Sequence, residues 1–139
     1  MTKDEQIVVF HDRTLSRITN VSDFPEFESL VASYDIDDDG KLKSDFWVRD
    51  FTLAQLKKLS VKQDLAYRPQ CEGVQFEIST LEEIIEAFFA LKEQKSNSGG
   101  LLVELKSEQA FGVTCGDIKM CKKLLELLQK YNLHTIEGC

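Results

Sequence analysis

The sequence predicts an α/β protein in which parallel strands are covered by helices. Two short apolar runs, residues 7–10 and 101–106, are typical of buried strands. Between and after them lie stretches with apolar residues at helical spacing. The resulting order of strand, helices, strand and helix is the alternation that builds parallel sheets, and 139 residues suffice for one domain.

Composition and charge exclude several kinds of partner. The formal net charge of −7 offers no basic surface for nucleic acid or for an anionic membrane. The start of the chain is too polar for a signal peptide, and no apolar run approaches the roughly 18 residues of a membrane span. If Met1 is the true start, we expect a soluble chain that is cytoplasmic by default. The sequence leaves the oligomeric state open.

The four cysteines show neither CxxC pairs nor the dense spacing of a disulfide-stapled domain. We expect them to be reduced and structural. They are Cys71, Cys115, Cys121 and Cys139.

The first predicted strand, residues 7–10, consists of four consecutive apolar residues and ends at His11. Residues 21–33 carry apolar residues three and four apart, but Pro25 limits any helix to the part that follows it. The connection 22–49 is longer than the usual 2 to 6 residues between α/β elements. We therefore predict that it is an inserted lobe over the site.

Two capping boxes predict where helices begin. Thr52 with Gln55 opens a short amphipathic helix within residues 50–59, and Thr80 with Glu83 opens a longer one that ends near Glu93. Residues 60–79 lack periodicity and contain a proline and a glycine, so they should be irregular. After the break at 96–100 come the second strand and a final leucine-rich helix over 121–131.

Candidate chemistry lies at the ends of the two predicted strands. His11 follows the first strand, and Glu104 and Lys106 share one face of the second because strand side chains alternate. Parallel sheets bind ligands at the carboxyl ends of their strands, so these groups should face one pocket. Taken alone, each feature has a structural explanation. His11 would be a hydrogen-bonded loop residue, and Glu104 with Lys106 would form a structural ion pair.

Several blocks of sequence occur together in a specific order. They are Thr2-Lys3-Asp4, residues 7–12, 15–20, 50–59, 79–83 and 103–106. In this order and at these separations the chain resembles the glycerophosphodiester phosphodiesterases. The blocks cover most of the chain, and their ordered set is more specific than any single block.

This resemblance implies a (β/α)8 barrel that hydrolyses glycerophosphodiesters to sn-glycerol 3-phosphate and an alcohol with help from a divalent metal. His11 matches a catalytic histidine, and imidazole titrates near neutrality. Glu104 matches a ligand of Ca²⁺ or Mg²⁺, since both ions prefer hard oxygen ligands. Lys106 matches a contact to the substrate phosphate, and Asp12 has a supporting role.

The chain also departs from the family pattern. An upstream His-Arg pair, a following glutamate and a Glu-x-Asp, which supply further catalytic and metal-binding groups, are absent. A full barrel needs about 250 residues. We therefore expect residues 1–139 to be a partial glycerophosphodiester phosphodiesterase domain, with 22–49 as an insertion. Its metal-ligand set should be incomplete, so the chain alone should bind metal weakly and turn over little substrate.

Two other interpretations stay open. Asp35, Asp37, Asp39 and Gly40 fit the first half of a calcium-binding hand, but position 12 of that loop falls on Phe46 instead of glutamate. An acidic solvated loop is the simpler interpretation.

A degenerate, non-catalytic fragment that binds a partner through three aromatic residues is the second alternative. These residues are Phe46, Trp47 and Phe51.

Overall fold

A computed structural model describes residues 1–35, 41–95, 99–105 and 118–133. They form an α/β arrangement with one two-stranded sheet and helices of both α and 3₁₀ type. The strands are β1 (Val31–Asp35) and β2 (Leu42–Phe46), and the α-helices are α1 (Leu53–Leu56), α2 (Leu81–Lys95) and α3 (Ile118–Lys130). The 3₁₀ helices are Val21–Asp23, Pro25–Leu30 and Val48–Asp50. Across these ranges, no helix is long and apolar enough to cross a bilayer.

The sheet is an antiparallel hairpin inside the predicted insertion 22–49. Val31 lies opposite Phe46, and Asp35 lies opposite Leu42. Neither strand is predicted from sequence, because segments rich in Ser, Asp and Lys lack the alternation of a half-buried strand. The helix predicted after Pro25 is a 3₁₀ helix that ends at Leu30. Residues 36–40, which contain most of the acidic loop, lie outside the described residues.

The two predicted parallel strands are corrected by the structure. Residues 7–10 are half-buried or exposed, and Val8 forms a single antiparallel bridge with Thr80. The second segment, 101–105, is exposed and forms neither a helix nor a strand in the described part of the chain. A buried parallel strand needs a neighbouring strand in the same direction. An apolar run predicts a buried segment, but it does not show which other strand would pair with that segment.

The core lies between the 3₁₀ helices, α1 and the segment before α2. Phe51 is fully buried, and its ring meets Phe27 edge-on at 5.2 Å between centroids. Because Phe27 lies inside 22–49, the predicted insertion contributes to the core. The buried cluster comprises Leu15, Val21, Phe27, Val48, Phe51, Leu56, Leu59 and Ile78.

Both predicted capping boxes are confirmed. The Thr52 hydroxyl accepts a hydrogen bond from the Gln55 N–H at 3.3 Å, and the Gln55 side chain accepts one from the Thr52 N–H at 2.9 Å. Thr80 and Glu83 make the same reciprocal pair at 3.1 and 2.8 Å. Helices α2 and α3 begin and end close to their predicted limits. Helix α1 is only one turn, although Leu56 and Leu59 are fully buried as their spacing predicted.

The turn before residues 7–10 is tied to the start of α1. Thr2 is buried, and its hydroxyl donates to Asp4 Oδ1 at 2.6 Å. Asp4 Oδ1 also accepts the Leu53 N–H at 2.9 Å, and the Lys3 N–H donates to the Phe51 carbonyl at 2.8 Å. The Thr-Lys-Asp block therefore has a structural role, since it positions residues 7–10 beside the core.

Candidate active site

Three of the four predicted site residues lie on one cavity of about 410 Å³. They are His11, Asp12 and Glu104, and the fourth, Lys106, lies outside the described residues. Much of the remaining lining is apolar. It includes Ile7, Val8, Val9, Phe10, Val48, Leu81, Ile84, Leu101, Leu102, Val103, Leu105 and Met120. The two groups that sequence placed on neighbouring parallel strands thus share a cavity, although their segments do not form such strands here.

Backbone hydrogen bonds fix the turn that follows His11. The Leu15 N–H donates to the Phe46 carbonyl at 2.9 Å, and the Val48 N–H donates to the Arg13 carbonyl at 3.1 Å. The buried Thr19 hydroxyl closes the turn by donating to the Leu15 carbonyl at 2.7 Å. His11 and Asp12 therefore start a segment that is anchored to the core.

His11 and Asp12 are in direct contact. His11 Nδ1 lies 2.8 Å from Asp12 Oδ1, and Arg17 Nε donates to Asp12 Oδ2 at 2.7 Å. The imidazole is 76% exposed, whereas the Asp12 side chain is only 19% exposed. The histidine is thus open to a ligand, and its carboxylate partner lies against the protein.

The hydrogen bond from Arg17 lowers the pKa of Asp12 to about 2, and the contact with His11 acts in the same direction. The carboxylate is therefore ionised at neutral pH and can only accept hydrogen bonds. Its bond with His11 requires the proton to be on Nδ1. In the neutral ring Nε2 is then the basic nitrogen, which is the atom that can take a proton from a reacting oxygen.

The residues described here do not complete a metal site. Within 1–35, 41–95, 99–105 and 118–133, no group of three or more His, Cys, Asp or Glu side chains is arranged to hold a metal ion. Both oxygens of Asp12 are already engaged by His11 and Arg17. Divalent ions need several oxygen or nitrogen ligands, so Glu104 lacks a completed ligand set among these residues.

Two arginines that sequence analysis did not single out also line the cavity. Arg13 and Arg49 are held on adjacent segments by the antiparallel bridge between Thr14 and Trp47. Guanidinium groups suit phosphate oxygens because their donors form a planar fork. Arg13 directly follows the His11-Asp12 pair in sequence, but no local pattern marks Arg49, which lies in the 3₁₀ helix Val48–Asp50 beside the bridge between Thr14 and Trp47.

The aromatic residues of the alternative binding interpretation belong to the core or pack against it. Trp47 and Phe51 are fully buried, and the indole N–H of Trp47 donates to the Ala32 carbonyl at 2.8 Å. Phe46 packs against the core cluster. These side chains stabilise the fold and are not an exposed binding surface.

Strands flank the calcium-hand pattern where that motif requires helices. Asp35 ends β1, and Phe46, at position 12 of the loop, ends β2. The other acidic positions, Asp37 and Asp39, lie outside the described residues.

Of the four cysteines, Cys71 and Cys121 are exposed thiols without a disulfide. The reduced state of the cysteines stays a prediction. Cys115 and Cys139 lie outside the described residues.

Comparison with known proteins addresses the family directly. The sequence model of the glycerophosphoryl diester phosphodiesterase family matches residues 1–134. The chain belongs to this family. A glycerophosphodiester phosphodiesterase of Arabidopsis thaliana is 34% identical over 84 residues, which cover 60% of this chain and 22% of the relative. One from Bacillus subtilis (strain 168) is 29% identical over an alignment of 139 residues, and this alignment covers 96% of this chain and 34% of the relative.

The chain thus spans between about a fifth and a third of the length of these family members. The predicted family membership is confirmed. The cavity with His11, Asp12 and Glu104 lies within the segment that matches the family.

Proposed function

We propose that this chain carries part of the active site of a phosphodiesterase that hydrolyses glycerophosphodiesters to sn-glycerol 3-phosphate and an alcohol. We also propose that it folds as part of a (β/α)8 barrel. The observation that supports this function best is the shared cavity of His11, Asp12 and Glu104 in a member of this family. In the reaction, water adds to phosphorus, the bond from phosphorus to the alcohol oxygen breaks, and the alcohol leaves with a proton.

In this proposal His11 moves one of the two protons. The ionised Asp12 holds the proton of the neutral ring on Nδ1, so Nε2 takes a proton from the attacking water and returns it later. The departing oxygen needs a second proton donor on the opposite side of phosphorus. One imidazole cannot occupy both positions, so His11 alone supports only slow turnover.

The anionic substrate would be held by cationic groups around the same cavity. Lys106 is the contact proposed from the family resemblance, and the arrangement of Arg13 and Arg49 on the cavity wall supports two further contacts. Substrate is thus expected to bind with its phosphate towards these arginines and His11. The apolar part of the lining would face the carbon skeleton.

Glu104 is proposed as one carboxylate ligand of a divalent ion, either Ca²⁺ or Mg²⁺, whose chemistry is to polarise a phosphate oxygen. Because no group of at least three metal-binding side chains occurs in the described ranges, we expect this chain to bind either ion weakly. Isothermal titration calorimetry with Ca²⁺ and with Mg²⁺ should show weak binding of each ion. Tight binding of either ion would contradict the incomplete ligand set.

The proposed reaction is tested by measuring sn-glycerol 3-phosphate released from glycerophosphocholine by the purified chain with Ca²⁺ or Mg²⁺. We expect turnover at least roughly 100-fold below that of the Bacillus subtilis relative assayed in parallel, the loss expected when one acid or base is missing. His11→Gln should abolish the residual turnover. Equal turnover by the two proteins would contradict the incomplete site.

His134→Gln is the matched control, because it removes the other histidine of the chain. It should leave the residual turnover unchanged. Binding gives a second measurement if turnover is too slow to follow. Added sn-glycerol 3-phosphate should shift the backbone NMR signals of residues 11–13 and 103–105, and shifts confined to other regions would contradict the proposed pocket.

A further inference from the structure

A chain of charged side chains extends from His11 away from the cavity. Asp12 shares its two oxygens between the imidazole and Arg17, at 2.8 and 2.7 Å. Arg17 uses a second nitrogen, Nη1, to donate to Asp64 Oδ2. A single guanidinium thus joins two carboxylates that lie 52 positions apart in the sequence.

The backbone brings these groups together. The turn closed by Thr19 and Leu15 places Arg17 beside Asp12. Asp64 lies in the irregular segment 60–79, which is tied to the same turn. The Lys62 N–H donates to the Ile18 carbonyl at 2.7 Å, and Val61 bridges Thr19. The network therefore depends on two anchored segments as well as on its side chains.

The division of contacts limits how Asp12 can move. With one oxygen held by Arg17, the other is directed at Nδ1 of His11. Asp64 holds the far side of the guanidinium, so Arg17 cannot turn towards solvent without breaking an ion pair. Arginine provides this because its donors form a rigid fork, which a lysine ammonium lacks.

We propose that Arg17 and Asp64 are positioning residues that, through Asp12, keep the proton of His11 on Nδ1 and leave Nε2 for the substrate. This inference rests on the proposed role of His11 and adds the residues that orient its ring. A purely structural ion pair between two surface segments would change stability without changing where the imidazole carries its proton. The position of that proton is therefore the property to measure.

The experiment is a long-range ¹H–¹⁵N NMR measurement of the His11 ring nitrogens in the full chain, in alkaline buffer where the imidazole is neutral. His134→Gln identifies which of the two histidines gives each signal. In the unsubstituted protein we expect the Nδ1–H tautomer to predominate. In Arg17→Gln and in Asp64→Asn, the ratio of Nδ1–H to Nε2–H should fall roughly threefold, the size expected for loss of a partly exposed charged contact.

Arg68→Gln is the matched control, because it removes an arginine of segment 60–79 whose guanidinium lies over the Tyr67 ring. It should leave the tautomer ratio unchanged. Arg17→Lys keeps the charge and should restore the ratio only in part. An unchanged ratio in Arg17→Gln would overturn the proposal, and a change there without one in Asp64→Asn would overturn the role of Asp64.

The backbone NMR spectrum of each variant shows whether the fold is retained, and because the substituted side chains are exposed or partly exposed, we expect it to be. No substrate is needed for this measurement. A chain without diesterase activity would count against the proposed function and leave the positioning test intact. Residual turnover that His11→Gln abolishes, together with an unchanged tautomer ratio, would count against the positioning role alone.

Discussion

The two sides of residues 7–11 differ sharply in packing. On one side, the turn and helices that follow bury Leu15, Phe51 and Leu56 completely. On the other, the cavity is bordered by Val9, which is 47% exposed, and by Leu102, which is 99% exposed. The core side therefore supplies most of the stability, and the cavity side exposes apolar and charged groups to a ligand.

This difference separates the turn after His11 from the part of the cavity wall that carries Glu104. The turn after His11 is held from the core side, because the Arg13 carbonyl accepts the Val48 N–H and the Leu15 N–H donates to the Phe46 carbonyl, so this turn does not depend on the exposed wall. Glu104 lies on that exposed wall, in a segment with neither helix nor strand. Substitutions on the two sides should therefore have very different effects.

The largest expected effect is on the core side. Phe51→Ala removes a fully buried ring that contacts Phe27 and Phe46. We expect the free energy of unfolding to fall by about 3–5 kcal/mol because a cavity remains. Urea denaturation followed by circular dichroism measures this fall.

Leu102→Ala is the control on the cavity side. Its side chain is almost fully exposed, so the change should stay within about 0.5 kcal/mol. Similar losses in both variants would show that the exposed wall is packed in solution, and the contrast between the two sides would disappear.

A smaller effect should come from the cap of α1. Thr52→Ala removes the hydroxyl that accepts the Gln55 N–H and should lower the free energy of unfolding by about 1 kcal/mol. Thr52→Ser keeps the hydroxyl and should restore most of the loss. If serine were as destabilising as alanine, packing of the threonine methyl group, instead of the cap, would explain the effect.

The smallest effect should come from Asp12 and depend on pH. Its folded-state pKa of about 2 lies below the ordinary value of 3.8 because Arg17 stabilises the carboxylate. The resulting stability is present above pH 3.8 and is lost as the pH falls towards 2. Since this network is partly exposed, we expect less than about 1 kcal/mol.

The measurement compares urea unfolding of the unsubstituted chain with that of Asp12→Asn from pH 5 to pH 2. The difference between the two proteins should shrink as the solution becomes more acidic. This comparison separates Asp12 from other carboxyls with lowered pKa values, such as Asp4 and Glu83. A difference that stayed constant with pH would show that Arg17 does not stabilise the ionised form.

Much of the local structure could be predicted from sequence. The caps at Thr52 and Thr80 and the helical spacing of α2 and α3 depend on residues three or four positions apart, so their signals are local. The hairpin was missed because neither of its strands alternates apolar and polar residues. The apolar runs at 7–10 and 101–106, together with the alternation of strands and helices, predict parallel strands, but neither signal identifies the segment with which a strand pairs.

In the candidate site, too, the residues in local motifs could be predicted and those brought in by long-range contacts could not. Sequence led to His11, Asp12 and Glu104, because two short motifs and a family resemblance pointed to them. It led to neither Arg49 nor Asp64, since these reach the site through contacts between distant segments, the bridge between Thr14 and Trp47 and the ion pair of Arg17 with Asp64.

By itself, therefore, the sequence determined helices α2 and α3 and the caps at Thr52 and Thr80, and it singled out His11, Asp12 and Glu104 as candidate site residues. The tertiary structure alone decided which strands pair, which carboxylates surround Arg17 and which side chains share the cavity. The physical reason is the range of the interactions. Helix hydrogen bonds join residues a few positions apart, whereas strand pairing and ion pairs join distant residues whose contact depends on the path of the whole chain.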